Sequence, residues 1–356
     1  MTGLTGVAVL GSTVIGGLVV LLLTAVAAVH VGRTRREQRD AGRRRALTPM
    51  LHDLLDGDGD HDRPDVTTAP AAFDEVVLQL LPQLRGADRK VLQDVLVSRG
   101  VVERAASDLT ARAAWRRGRA ATLLGSTAST PHVAGLTALL RDRSSDVRSA
   151  AARALGKAGG PDTAEALLGS LTMDRPLPSG VAGMALLDLG TQALPVLRET
   201  VLVGSPPAAA LAASLLGLHG DLSATPMLTA VLRDTERTVE VRRSAAEALG
   251  RIGAPQATDA LSNVLAFAPE AVLRQVAAES LGRIGDPAGT TALVAGLAAA
   301  DLIVRTSCAD ALAATGAEGR SWLVQLAAGS GPGALAARGA LDAVAVQPRR
   351  LQTAPA

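Results

Sequence analysis

Residues 241–253 read VRRSAAEALGRIG and residues 273–285 read LRQVAAESLGRIG. Nine of the thirteen positions are identical, and the copies lie 32 residues apart. Val241, Ala245, Leu249 and Ile252 fall at i, i+4, i+8 and i+11, the spacing of one apolar stripe on a helix. Alanines at 245, 246 and 248 leave room for a neighbouring backbone. Arg243, Glu247 and Arg251, spaced i, i+4, i+8, predict an exposed charge ladder on the outer side. Gly253 is a helix stop, and Ala254-Pro255 opens a second helix, PQATDALSNVLAF, since Pro is tolerated in a first turn. In the next copy Gly285-Asp286-Pro287 does the same before AGTTALVAGLAAA.

The same ten-residue register, an apolar or small residue followed nine positions later by Gly or another small residue, recurs along the chain. Its copies are 116–125, 147–156, 181–190, 208–217, 241–250, 273–282, 304–313 and 333–342, at intervals of 31, 34, 27, 33, 32, 31 and 29. A period near 30 predicts a solenoid. Each unit is helix, Gly/Pro turn, helix, then a loop carrying Asp or Glu. Neither helix buries its apolar face alone, so the units stack. The residues that keep this shape are Leu124-Gly125, Leu155-Gly156, Leu216-Gly217, Leu249-Gly250 and Leu281-Gly282. Composition agrees with an all-α fold. There is no Tyr, with two Trp and two Phe, so small aliphatic side chains must build the core. Residues 71–113 read as capping helices, 114–346 as repeats and 347–356 as a disordered tail.

These residues, VRRSAAEALGRIGAPQATDALSNVLA above all, resemble the HEAT repeat in its short bacterial, PBS-lyase HEAT-like variety. The resemblance covers about residues 110–345, is strong at 147–160 and 241–285, and is weak at 181–217 and 304–342. The W-x-x-L-G-x-x-Y and T-P-L-H patterns of tetratricopeptide and ankyrin repeats are missing from the sequence. The resemblance implies an α-solenoid with a concave face lined by second helices. Here those are PDTAEALLGSLTM, PQATDALSNVLAF and PAGTTALVAGLAA, small and mildly apolar, suited to a helix or extended peptide.

The N-terminus has a different character. Thr2 to Val29 carries no charge and is long enough to cross a bilayer as a helix. Arg33, Arg35, Arg36, Arg39, Arg43, Arg44 and Arg45 follow, against Glu37 and Asp40. By the positive-inside rule, residues 1–32 are expected to be a single transmembrane helix of the plasma membrane, N-terminus outside and repeats cytoplasmic. The same arginines are candidate contacts for anionic headgroups. Glycines 11, 16 and 17 suggest weak helix pairing in the membrane. A cleaved signal peptide fits less well, because no positive residue precedes the apolar run. Residues 33–70 read as a juxtamembrane segment and an acidic flexible linker. Asp56, Asp58 and Asp60 alternate as in a calcium loop, but His61 and Thr67 stand where Gly and Glu are needed.

Chemistry is sparse. HEAT-like deoxyhypusine hydroxylases hold di-iron with His-Glu pairs, yet His30, His52, His61, His132 and His219 are followed by Val, Asp, Asp, Val and Gly. HEAT-like bilin lyases share the fold, but aromatics to stack on a tetrapyrrole are few. Cys308, the single cysteine, reads as a small core residue. Net charge is +2, Arg outnumbers Lys 34 to 2, and acids lie near the repeat arginines. That argues for salt bridges and caps over a nucleic-acid surface. The Arg and Ala bias is that of a GC-rich bacterial genome. The expectation is therefore a membrane-anchored, non-catalytic scaffold or adaptor without cofactors or bound metal. Its partner is a membrane-associated protein, for example a glycosyltransferase. The alternatives are a HEAT-like enzyme of hydroxylase or lyase type, and a nucleic-acid-binding HEAT-like protein.

Overall fold

Alanine and leucine at helical spacing, broken every dozen residues by Gly or Pro, leave the chain little option but short helices packed side by side. The computed structural model describes residues 49–51, 53–55, 66 and 69–352, and among these residues there is no strand. The apolar run 2–29 and the arginines of 33–45 lie outside the described residues, as does most of the acidic linker. The chain divides into two compact units, residues 1–103 and 104–356.

In the first unit lie α1 (Ala71–Leu80) and α2 (Gly86–Ser98), and the division falls within α3 (Val101–Asp108). Phe73 is fully buried, and the Arg99 guanidinium sits 5.6 Å from its ring centroid. Arg99 also donates to Asp74 Oδ1, to Val66 O and, at 2.9 Å, to Ala69 O. One buried arginine thereby ties the segment before α1 to the end of α2.

The second unit is a run of helix pairs. First and second helices alternate as α4 (Ala114–Ser126) and α5 (Val133–Ala138), α6 (Ser145–Ala158) and α7 (Pro161–Gly169), then α8 (Ser179–Asp188) and α9 (Leu194–Val203). They continue as α10 (Pro206–His219) and α11 (Thr225–Arg233), then α12 (Val239–Ile252) and α13 (Thr258–Phe267). The last are α14 (Ala271–Ile284) and α15 (Pro287–Gly296), α16 (Leu302–Ala314) and α17 (Ala317–Ala327), and finally α18 (Pro332–Gln352). The last helix thus runs past residue 347, where the sequence suggested a disordered tail.

The leucine–glycine pairs hold the stack. Leu124, Leu155, Leu216, Leu249 and Leu281 are fully buried or nearly so. A Cβ at Gly125 would fall 2.6 Å from Ala154 Cα, and one at Gly156 2.6 Å from the Ala185 carbonyl oxygen. At Gly217 it would meet Ala248 Cα at 2.7 Å, at Gly250 Ser280 Cβ at 2.6 Å, and at Gly282 Ala311 Cβ at 2.7 Å. Each of these glycines lies against the backbone, or the first side-chain carbon, of the next first helix, where no real Cβ fits. In this column Ser280 replaces alanine, and its buried hydroxyl donates to Ala246 O at 2.8 Å, so the burial leaves no orphan donor.

Two turns behave as the motif predicts. Gly253 (φ 70°) and Gly285 (φ 69°) end α12 and α14 in the left-handed region, donating to Leu249 O and Leu281 O. Three details differ from the sequence reading. Pro255 opens a 3-10 turn, Pro255–Ala257, and the α-helix starts only at Thr258. Ile252, at the end of the stripe, is half-buried. Gly190 lies beyond the end of α8 at φ 64°, so the register of 181–190 does not hold there. At that step a Cβ at Gly183 would meet the Leu211 side chain at 3.3 Å instead of a backbone. The 27-residue interval that follows is the shortest in the chain.

Close approach without space for a methyl group makes a sharp prediction. Gly250→Ala should destabilise by about 1–3 kcal/mol through overpacking. Gly169→Ala, where nothing lies within 4 Å, should stabilise by about 0.5 kcal/mol by restricting the unfolded chain. Urea unfolding of the two variants tests the contrast, and equal shifts of one sign would refute the packing role.

Candidate functional site

The second position of five repeats is arginine: Arg117, Arg148, Arg242, Arg274 and Arg305. A helix N-terminus follows a loop whose preceding helix has just ended, leaving free carbonyls that need donors. The arginines supply them. Arg117 donates to Ala111 O (2.8 Å) and Arg112 O (2.9 Å), and Arg148 to Asp142 O (3.0 Å). Arg242 donates to Leu232 O (3.1 Å), Arg274 to Ala268 O (2.6 Å) and Pro269 O (2.9 Å), and Arg305 to Ala299 O and Ala300 O (both 2.7 Å). Three of them also reach the acid in the next loop: Arg117 to Asp142 at 2.7 Å, Arg274 to Asp301 at 3.7 Å and Arg242 to Glu270 at 3.9 Å. These are the repeat-to-repeat salt bridges and caps that the sequence suggested, and they occupy arginines a nucleic acid would otherwise meet.

Arg243, Glu240, Glu247 and Arg251 form the outer ladder, with contacts of 2.8, 3.5 and 2.6 Å. Such exposed pairs contribute little to stability. The Arg117–Asp142 pair is different because it is largely enclosed. Its two parallel bonds, helped by the Ser144 N–H, hold the Asp142 carboxyl below the ordinary aspartate range. Arg198 does the same to Asp221, whose carboxylate also takes the Ser223 N–H.

Second helices line an open cleft of about 630 Å³ between α13 and α15. Ala266, Ala292, Ala295 and Ala299 form much of its wall, Ser262 and Asn263 face it, and Arg274 and Asp301 close its loop end. Neither Ser262 nor Asn263 has a side-chain partner among the described residues. A smaller cleft, about 450 Å³, is bordered by Glu279, Arg283, Ser307 and Asp310 of α14 and α16. Asp310 is exposed, yet the protein around its carboxyl raises its pKa by desolvation.

Cys308 is fully buried against Gly296, and burial pushes its thiol up to about 12, far from a reactive thiolate. His132 sits in a 3-10 turn with Nδ1 2.7 Å from Ser129 Oγ, and His219 ends α10. Among the described residues no group of three or more His, Cys, Asp and Glu is placed to hold a metal ion. Of the residues marked from sequence, the leucine–glycine pairs are brought together as helix contacts and lie apart from both clefts, except that Gly282 borders the smaller one. The resemblance pointed to the helices that line the larger cleft, PQATDALSNVLAF and PAGTTALVAGLAA, but Ser262 and Asn263 were not singled out within them, because polar residues in a variable helix have no signal in one sequence.

Stacked helix pairs joined by arginine caps define a helical-repeat protein. The repeats are HEAT repeats: that family matches residues 109–187 and 194–282, and the PBS lyase HEAT-like repeat matches residues 273–299. No curated protein matches the chain. Among solved structures, human deoxyhypusine hydroxylase in complex with glycerol is similar at 21% identity, covering 77% of this chain and 97% of that one, with a TM-score of 0.32. An engineered protein matches at 21% identity over 82% and 87%, with a TM-score of 0.35. The complex of CpcE and CpcF of phycocyanin lyase from Nostoc matches at 21% over 78% and 96%, with a TM-score of 0.26. These likenesses are of fold alone. The expectation that the chain is not an enzyme is corrected by the family match. Its repeat over 273–299 is of the kind named for a lyase, so such repeats are no mark of a non-catalytic chain.

Charge pairing makes the prediction here. Asp142→Asn leaves the Arg117 guanidinium without its counter-charge and should lower stability near neutral pH. Because the native carboxyl titrates below its unfolded value of about 3.9, the pair stabilises fully above that value. The stability is lost as pH falls through the lower native pKa. Thermal melts from pH 7 to pH 2 should show the variant and the parent converging at the acid end.

Proposed function

We propose that this chain is a HEAT-like repeat protein whose working surface is the cleft between α13 and α15, and that the cleft takes a polypeptide segment. The observation that supports this is the cleft's lining. Alanine walls admit a backbone closely, and Asn263 offers a donor and an acceptor together, the pair a peptide unit needs. Arg274 is committed to Ala268 O, Pro269 O and Asp301, which disfavours a polyanion at the same place. The partner is membrane-associated in this reading. Residues 2–29 anchor the chain in the plasma membrane with the repeats cytoplasmic, and Arg33 to Arg45 lie at the headgroups. Among the described residues, no single helix is long and apolar enough to cross a membrane.

The same cleft supports a second reading, an enzyme of the lyase kind that holds an open-chain tetrapyrrole for transfer to that polypeptide. Six of its twelve lining residues fall within 273–299, where the PBS lyase HEAT-like repeat matches.

Ala295→Trp fills the cleft and should remove the co-purifying partner from detergent-solubilised membranes while the melting temperature stays unchanged. Undiminished recovery would refute the polypeptide reading. Titration of the purified chain with an open-chain tetrapyrrole separates the second reading. A stoichiometric absorbance change that Ala295→Trp abolishes supports it, and a flat titration refutes it.

A further inference from the structure

Every loop that joins a second helix to the next first helix lies on one edge of the repeat unit. Side chains link these loops in order. Arg117 bridges residues 111–112 to Asp142, Arg237 donates to Leu202 O, and Arg242 connects Leu232 to Glu270. Arg274 then joins Ala268 to Asp301.

Large apolar side chains stand in solvent along this edge. Val203 is 77% exposed, Phe267 80%, Leu302 62% and Ile303 56%, with Val239 and Val272 exposed between them. The chain has four aromatic residues, and only Phe73 is buried; Trp115, which opens the first helix of the first repeat on this same edge, is 68% exposed. Trp322, on α17, is exposed as well, so two of the three exposed aromatics, Trp115 and Phe267, stand on this edge.

The other end of the edge is basic. Arg112, Arg141, Arg143 and Arg175 are exposed and have no acidic partner among the described residues, against the exposed Asp146 and Asp174. Most other acids of the edge are already taken: Asp142 by Arg117, Asp234 by Arg237, Glu270 by Arg242 and Asp301 by Arg274. Positive groups and apolar groups therefore occur one or two per loop, spread over residues 112–303. A protein interface of ordinary size is a compact patch. A fluid, extended, anionic surface meets a row of this kind with every loop at once.

We propose that this loop edge rests on an anionic lipid bilayer, with Phe267, Leu302 and Ile303 in the interfacial region and Arg141, Arg143 and Arg175 on the headgroups. The inference does not depend on the assignment of residues 2–29, which would tether the chain whether or not the edge touches lipid.

The test uses the full chain carrying an environment-sensitive thiol dye at Phe267→Cys, at Leu302→Cys or, on the opposite edge, at Gln256→Cys. Buried Cys308 stays unlabelled in the folded protein. Each protein is combined with protein-free vesicles of phosphatidylcholine and phosphatidylserine, and flotation is recorded beside the dye spectrum. Dyes at 267 and 302 should shift to the blue and the dye at 256 should not. The shift should fall several-fold in vesicles of phosphatidylcholine alone, and likewise in the Arg141→Glu, Arg175→Glu double variant. Flotation without a shift at 267 or 302 would leave the tether standing and overturn the edge. An equal shift at 256, or a shift that requires an added membrane protein, overturns it as well.

Discussion

A glycine of one first helix pressed against the backbone of the next is the constraint on which this structure depends. Gly125, Gly156, Gly217, Gly250 and Gly282 each leave no room for a Cβ. Helix separation follows from the side chains at the contact. Removing the side chain on one side and keeping Ala or Ser on the other brings the axes as close as helices come. Close packing makes up for the missing aromatics: dispersion and apolar burial come from many short contacts instead of a few large ones. It also sets the spacing of everything attached to the helices, including the loops and their charges.

Once the first helices are that near, successive loops lie within reach of one arginine side chain. Arg117, Arg242 and Arg274 span the distance, capping the carbonyls of their own loop and pairing with the acid of the next. The guanidinium suits the task because it donates in several directions from one rigid plane. Arg117, Arg148, Arg242, Arg274 and Arg305 are thus spent on the chain's own loops. The cleft between α13 and α15, with Asn263 and Ser262 on alanine walls, is accordingly lined by neutral residues except at the loop end, where Arg274 and Asp301 pair. Arg141, Arg143 and Arg175 stand outside this ladder and are exposed without an acidic partner among the described residues.

Much of this was legible in the letters. The repeat of VRRSAAEALGRIG, the buried leucines and the left-handed Gly253 and Gly285 follow from local rules that neighbours do not change. The outer Arg243–Glu247–Arg251 ladder follows in the same way, because its partners are four residues apart. Gly190 misled, since a glycine nine residues after an apolar one serves equally as a contact in the helix or as a stop beyond it. Only the neighbouring helix distinguishes the two. The lyase-like kind of the repeat at 273–299 was also visible as a resemblance, yet the missing His-Glu pairs and scarce aromatics argued against an enzyme, and that inference did not survive the family match.

The sequence by itself determined the periodic helices, their stops and the residues that must be small, because these depend on spacing within one helix and on the conformation of one glycine. It did not determine which face would meet a partner. The cleft takes its wall from α13, α15 and the loop at 298–301, and the exposed edge gathers Phe267, Leu302 and the unpaired arginines from loops about thirty residues apart. Those residues come to one side of the molecule only when helix pairs stack. Stacking is a sum of contacts between distant segments, which no local pattern records.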